Sequence, residues 1–329
     1  MQKILTVSVA AYNVEAYLAN TLESCLINNN LETIEVLVVN DGSTDRTRYI
    51  AKAFEERYPS VFRVIDKKNG GYGSTINTAI KEAKGKYLKQ LDGDDWYQTS
   101  NLEELIGILG EIDADRIITP YIRWKKNGKE QTVSDCALQT PTGICPLEDV
   151  VFNGTLDMHS SAFRTELLRN LNRPLTENCF YTDHEYSVYP LLKESVSYVW
   201  HKPIYVYRLD RDGQSVSREG LRKHYKEHET VVLNLIGVYN QLDQRKKDKY
   251  SFFMRRLVGE IRNHFRYLCF LDNPVEAKRE VLSFTEIVKR ANPSLYQYAR
   301  NNSRFVKGIT AFNGALFPVA KWINDVKSK

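Results

Sequence analysis

The 329-residue chain has no long apolar run, and nothing in it approaches the roughly 18 apolar residues that a membrane-spanning helix requires. Cysteine is scarce. The five present (Cys25, Cys136, Cys145, Cys179 and Cys269) are odd in number, scattered, and form no C-x-x-C pair. That pattern argues against a disulfide framework or a zinc site and fits a reducing cytoplasm. With 17 Gly and 10 Pro, the composition excludes fibrous and low-complexity chains. The turn after the first apolar segment, Ala10-Ala11-Tyr12-Asn13-Val14-Glu15, lacks glycine, which excludes a dinucleotide-binding fingerprint. It also lacks a small-residue cleavage site, so the segment reads as a first strand and not as a signal peptide. There is no G-x-x-x-x-G-K-[ST], H-E-x-x-H or G-x-S-x-G, and no early Gly-rich loop of the kind a sugar nucleotidyltransferase carries.

What is present is an ordinary globular composition, 42% hydrophobic and 26% charged. The net charge of +5 hides an asymmetry: residues 220–329 hold 21 Lys+Arg against 10 Asp+Glu. Such a basic region is either a solvated helical face or a module facing anionic lipid or a phosphate-rich polymer. No feature points to nucleic acid.

Residues 1–120 alternate strand and helix signals. Apolar runs at 4–11, 34–39, 61–65, 87–91 and 117–121 read as strands. Between them, Leu18, Leu22, Cys25 and Leu26 recur at helical spacing. So do Tyr49, Ile50, Ala53 and Phe54, behind capping oxygens at 43–45, and Ile76, Ala79, Ile80 and Ala83. Ser100 with Glu103 forms a capping-box signature. Repeated βα units predict a Rossmann-like α/β fold with a mostly parallel central sheet, and a ligand site beyond the carboxyl ends of its strands. Beyond 120 the pattern weakens, with a helix expected at 183–193 and strands at 197–200 and 204–209. From about 221 helices dominate. The expected organisation is 1–218, in halves 1–120 and 121–218, followed by a basic helical region, 219–329.

Polar residues fall where the ligand site is expected. The strands end in Asn40-Asp41-Gly42-Ser43, Lys68-Asn69-Gly70-Gly71 and Asp92-Gly93-Asp94-Asp95. Asp92 and Asp94 at one strand end favour a hard divalent cation, Mg²⁺ or Mn²⁺, completed by substrate phosphates. A solvated Asp-Gly turn is the plain alternative for this segment, and a helix N-cap is the alternative for Asp41.

Taken together and in order, VSVAAYNVEAYLANTLESCL, VLVVNDGSTDRT, KKNGGYGSTINTAI and GKYLKQLDGDDW resemble the family 2 inverting glycosyltransferases with the GT-A fold. Weaker matches follow at Tyr181-Thr182-Asp183-His184-Glu185 and at Tyr207-Arg208…Ser215. The resemblance implies that Tyr12, beside Ala10, packs the nucleobase and that Asp41 reads it. Asn69 and Gly71 lie over the nucleoside, Asp92 and Gly93 sit at the ribose, and Asp94 ligates the metal. Arg208 and Ser215 hold the diphosphate, and Asp183 is the general base. Ala10 replaces a common Pro, and Thr182 a common Glu. Ile76 stands where an Arg often reaches the diphosphate, so that contact falls to Asn77 or Arg208.

Chemically, one carboxylate in line with C1 suffices for inversion, and a helix start orients it. Asp183 could instead be that helix's N-cap. His159 could line the acceptor site. The resemblance implies a cytoplasmic enzyme with a nucleotide-sugar donor and a glycan, lipid-linked or teichoic-acid-like acceptor. Phe305, Ile309, Phe312, Leu316, Val319 and Ile323 form an amphipathic stripe with a kink at Pro318. It would pack on the protein, on a second copy, or on the inner face of the membrane.

Overall fold

A computed structural model of the chain describes residues 2–153, 156–209, 218–243, 250–311 and 317. The chain divides into two compact units, Met1–Arg211 and Asp212–Lys329.

The first unit opens with β1 (Leu5–Ala11), α1 (Leu18–Glu23), β2 (Ile34–Asn40), α2 (Thr47–Arg57), β3 (Phe62–Asp66), α3 (Tyr72–Glu82) and β4 (Tyr87–Asp92). These four strands are mutually parallel in the order β3-β2-β1-β4. β1 and β2 are almost wholly buried, which is why they read as continuous apolar runs without alternation. Ala10 pairs with both Val39 and Asp92, so the carboxyl ends of the three central strands lie side by side.

The chain continues through β5 (Trp96–Tyr97), α4 (Thr99–Leu109), β6 (Arg116–Ile118), β7 (Tyr121–Trp124), β8 (Glu130–Val133) and β9 (Gly143–Pro146). β10 (Ser161–Arg164), α5 (Thr165–Asn170), α6 (Asp183–Val188), β11 (Val196–Val199) and β12 (Tyr205–Arg208) complete the unit. Among the described residues the large sheet has the order β3-β2-β1-β4-β10-β6-β11-β9, with β10 antiparallel to both neighbours. A smaller sheet, β5-β12-β7-β8, adjoins it in sequence. The core is built from Leu5, Val7, Val9, Leu18, Leu22, Val36, Leu91, Leu102 and Leu105, all essentially inaccessible.

Three local expectations are corrected. The strand expected at 117–121 is two strands in different sheets. The break falls at Thr119-Pro120, where proline has no N–H for a ladder. Ser100 and Glu103 form no capping box: the Glu103 carboxylate instead accepts the backbone N–H groups of Asn28 and Asn29, each at 3.1 Å. On α2 Ile50 and Phe54 pack against the core, but the buried residues are Thr47 and Ala51, and Tyr49 and Ala53 face solvent.

The second unit is helical: α7 (Arg218–Lys223), α8 (Tyr225–Gln241), α9 (Ser251–Leu268), α10 (Pro274–Ala291), α11 (Pro293–Asn302) and α12 (Arg304–Ile309). Asn273, Asn292 and Ser303 cap the last three by accepting N–H groups of the first turn. Val231, Leu235, Leu257, Ile261, Phe265, Val281 and Phe284 form its core. No described helix is long and apolar enough to cross a membrane. Of the amphipathic stripe, Ile309 is buried and Phe305 half-buried, whereas Phe312, Leu316, Pro318, Val319 and Ile323 lie outside the described residues.

Candidate active site

The loop after β3 is built around Asp41, which follows β2 and is only 2% exposed. One carboxylate oxygen accepts the Lys67 ammonium at 2.7 Å and the Gly70 N–H at 3.0 Å, and the other accepts the Gly71 N–H at 2.9 Å. The Asn69 amide closes on the Asp41 carbonyl at 3.0 Å. Asp41 therefore shapes the 67–71 loop. It does not cap α2, whose cap position is Arg46. Gly71 adopts φ +81°, a region that favours glycine. Two residues on, a Cβ at Gly73 would lie 2.2 Å from the Thr176 carbonyl oxygen, so only glycine lets the 174–182 segment dock on α3.

β4 delivers three carboxylates together. The Tyr72 hydroxyl donates to Asp92 Oδ1 at 2.6 Å, and the Asp92 N–H donates to the Tyr205 hydroxyl at 3.2 Å. Asp95 is fully buried. It accepts the Tyr205 hydroxyl at 2.5 Å and the Arg208 N–H at 2.8 Å. Burial, reinforced by the charges of Asp92 and Asp94, pushes the Asp95 carboxyl well above the usual range. Burial likewise raises the Tyr72 and Tyr205 hydroxyls, with Asp92 adding to the effect. Both tyrosines remain neutral hydrogen-bond donors.

His159 stands over this cluster. Its ring stacks on Tyr207 at 4.6 Å and meets the Tyr205 ring edge-on at 4.6 Å. Burial pushes its pKa down to about 4, which keeps the imidazole neutral near pH 7. The Lys89 ammonium, in mid-β4, donates to the His159 carbonyl at 2.9 Å and the Ser161 carbonyl at 3.4 Å.

Asp183 is the first residue of α6. The cap position belongs to Thr182, so Asp183 is not the N-cap. Its side chain is 39% exposed, and its charge acts on Tyr72, His159 and Tyr207. Asp183 thus lies within electrostatic reach of the tyrosines and the histidine that surround the β4 carboxylates. The supporting segment is tightly held. Glu185, fully buried, accepts the Thr176 N–H at 2.7 Å and hydroxyl at 2.8 Å. Asn178 donates its N–H to the Gly70 carbonyl at 2.6 Å. Asn178 and Tyr181 sit at φ +51° and +66°, a backbone strain that persists only where surroundings fix it.

Of the other expected residues, Tyr12 is 51% exposed just beyond β1, and the Ala10 carbonyl accepts the Gly93 N–H at 3.0 Å. The Arg208 guanidinium lies over Trp96, Tyr17 and Trp124 at 4.7, 5.1 and 5.3 Å, and its Nε donates to the Asp94 carbonyl at 2.9 Å. Of the two alternatives for the diphosphate contact, Asn77 has its amide paired with both the N–H and the carbonyl of Leu175. Ile76 is core. Ser215 lies outside the described residues.

One metal-ligand cluster is apparent among the described residues. Ligand atoms of Asp92, Asp95 and His159 lie within 4.8 Å of one another, and His159 Nδ1 is buried without a hydrogen-bond partner. Two carboxylates and an unsatisfied imidazole nitrogen fit a divalent cation such as Mn²⁺ or Mg²⁺. Asp94 borders this group without belonging to it. Sequence reasoning passed over Asp95, Tyr72, Lys67 and Tyr205. The third carboxylate of the Asp-Gly-Asp-Asp run was a signal for the first, but the others carry none.

Glycosyl transferase family 2 matches residues 6–171 of the chain. The chain belongs to this family, so the class anticipated from its motifs is the one it has. The minor teichoic acid biosynthesis protein GgaB of Bacillus subtilis is 26% identical over 261 residues, 77% of this chain and 28% of that protein. The putative glycosyltransferase EpsH of the same organism is 35% identical over 113 residues, 34% of this chain and 32% of that protein. The chain spans about a third or less of the length of these curated relatives. In fold it is similar to Staphylococcus aureus TarS 1-349 solved with UDP-GlcNAc (TM-score 0.67, 20% identity), covering 93% of this chain and 91% of that one. It is also similar to the mannosyltransferase PcManGT of Pyrobaculum calidifontis with GDP-Man and Mn²⁺ (TM-score 0.53, 14% identity), covering 100% and 88%. The α/β architecture is therefore of the GT-A type.

Proposed function

We propose that the chain transfers a sugar from a nucleotide-sugar donor, a UDP-hexose or UDP-N-acetylhexosamine, to a hydroxyl of a glycan, lipid-linked saccharide or teichoic-acid-like polymer, with inversion at C1. The observation that carries this reading is the proximity of four carboxylates from two elements, the charge of Asp183 reaching the same Tyr72, His159 and Tyr207 that surround the β4 carboxylates. Asp92, Asp94 and Asp95 come from the end of β4, and Asp183 from the start of α6. The UDP-GlcNAc complex of TarS and the teichoic acid biosynthesis role in the name of GgaB support the donor and acceptor classes.

In this reading the 67–71 loop and Asp41 enclose the base, with Tyr12 packing on it and Ala10, Asn69, Gly71 and Gly93 supplying close backbone walls. Tyr72 orients Asp92 towards the ribose. Arg208 and Ser215 hold the diphosphate, the guanidinium supplying positive charge. The residues that would hold a divalent cation are Asp92, Asp95 and His159, with Asp94 at their border as a further ligand in this reading, and the cation would supply positive charge to the leaving group when bound. Asp183 takes the proton of the attacking hydroxyl, and a single base on the face opposite the leaving oxygen accounts for inversion. His159, neutral and caged by tyrosines, borders the acceptor side.

The test is calorimetric binding of a panel of UDP-sugars with Mn²⁺, followed by measurement of UDP release. Binding with release supports transfer. Binding without release, with and without candidate acceptors, would make the chain a nucleotide-sugar-binding module.

A further inference from the structure

The small sheet holds two arginines on opposite faces. Side chains alternate along a strand, so on β12 Arg208 points away from Tyr205 and Tyr207, whose rings meet His159. β7 pairs with β12 in parallel register, Tyr121 with Tyr205 and Arg123 with Tyr207. Tyr121 and Arg123 therefore share the His159 face, and the Tyr121 ring lies 5.0 Å from that of His159. Arg208, on the other face, sits over Trp96 and Trp124 beside the Asp94 carbonyl.

Arg123 is oriented without being neutralised. The Tyr121 hydroxyl donates to Asp157 Oδ2 at 2.7 Å and accepts the Arg123 Nη2–H at 2.9 Å, and the guanidinium lies 5.6 Å from the Tyr121 ring. Burial, and then the charge of Asp157, raise the pKa of the Tyr121 hydroxyl, so the partner of Arg123 is a neutral phenol. Elsewhere in this unit Arg48, Arg63, Arg116 and Arg164 each contact a carboxylate directly. Among the described residues Arg123 contacts none, and its Nε and Nη1 make no hydrogen bond.

The positive charge continues along the chain. β7 runs into a hairpin turn, Lys125-Lys126-Asn127-Gly128-Lys129, closed by the Lys125 N–H on the Lys129 carbonyl at 2.9 Å and by Gly128 at φ +78°. Lys125, Lys126 and Lys129 are exposed, and among the described residues none of them has a carboxylate partner. Across β7, the turn and β8, Glu130 is the single acidic residue against these four cations. At about 3.3 Å of rise per residue, Arg123 and Lys125 stand roughly 7 Å apart, so the row reaches more than one anionic group.

A tethered guanidinium with unused donors suits an oxyanion, and a line of mobile ammonium groups suits a chain that carries oxyanions repeatedly. We propose that Arg123 and the β7–β8 hairpin bind successive phosphodiester groups of the acceptor, which makes the acceptor a phosphate-linked polyanion and not a neutral glycan. This rests on the glycosyl-transfer reading, in which His159 borders the acceptor side and Arg208 serves the donor diphosphate. A bilayer is the competing anionic surface. It would engage the exposed lysines and leave Arg123, half-buried beside Tyr207, unused.

The test is binding of a synthetic glycerol-phosphate oligomer, which carries phosphodiesters and no sugar, to the full chain without donor. The wild type should bind it, and the affinity should fall roughly tenfold or more between about 50 and about 200 mM salt, because binding releases counterions. Arg123→Met removes a charge-assisted bond and should weaken binding roughly tenfold. Replacing Lys125, Lys126 and Lys129 together by Gln should weaken it by a similar factor, with a shallower salt dependence. These lysines are exposed, so the triple variant decides even where Arg123→Met does not fold. Wild-type affinity in the triple variant or in a folded Arg123→Met would overturn the proposal, as would equal binding of an uncharged maltooligosaccharide. So would binding to anionic phospholipid vesicles, lost in the triple variant, with the oligomer ignored. The two readings fail separately. UDP-GlcNAc bound and the oligomer ignored overturns this proposal alone, whereas the oligomer bound and UDP-GlcNAc ignored overturns the donor reading and, with it, the acceptor role of the hairpin.

Discussion

The Tyr72 hydroxyl donates to Asp92 Oδ1 at 2.6 Å, linking the glycine-rich loop after β3 to the carboxylates at the end of β4. Tyr72 is held neutral by burial and by the negative charge of Asp92, so the bond is available throughout the physiological range. Tyr72→Phe keeps the ring and removes the donor. A hydrogen bond to a charged group is worth about 1.5–3 kcal/mol, so kcat/KM for UDP release should fall roughly tenfold or more. An unchanged value would show that Asp92 needs no orienting partner.

Gly73 and Gly107 make a matched pair. A methyl group at Gly73 would meet the Thr176 carbonyl oxygen at 2.2 Å and displace the segment that carries Asp183. Gly73→Ala should abolish turnover and lower the Tm. At Gly107, on the exposed side of α4, nothing lies within 4 Å of the new Cβ. Gly107→Ala should leave activity intact and stabilise the protein by up to about 1 kcal/mol. Thermal melts and turnover of the two variants check both statements.

Asp41 accepts three hydrogen bonds from the 67–71 loop. Asp41→Ala removes all three, so titration calorimetry should show donor binding lost before any effect on the chemical step appears. Unchanged donor affinity would detach this loop from the nucleotide.

Lys89 carries a pH signature of its own. Burial lowers its pKa to about 7, so between pH 7 and about 10.5 the unfolded chain binds one proton more than the folded one. Stability therefore rises with pH across that window. Relative to Lys89→Met, the wild type should gain up to about 1.4 kcal/mol per pH unit in urea unfolding. A flat difference would mean that the ammonium remains charged in the fold.

Much of the first unit was legible because buried parallel strands write themselves as apolar runs that end in polar turns. Asp41, Asp92 and Asp94 were singled out in this way, and the family resemblance pointed to Asp183. Tyr72 was not legible, since a tyrosine after two glycines has no periodic signal and its partner lies 20 residues away. The Ser100–Glu103 signature misled because Glu103 is claimed by Asn28 and Asn29, a tertiary contact that overrides local capping. The break at Thr119-Pro120 was missed because Ile117, Ile118, Tyr121 and Ile122 on either side of it read as one apolar run.

The central claim is that Asp183 does the proton chemistry while the carboxylates of β4 serve the donor, and Asp183→Asn tests it most directly. UDP-sugar binding in the presence of Mn²⁺ should persist, measured by calorimetry, while turnover to an acceptor falls on the order of 10²-fold or more. Asp94→Ala, measured alongside, should lose turnover with the fold intact. Wild-type turnover in Asp183→Asn, or loss of donor binding in that variant, would contradict the assignment of Asp183 as the base.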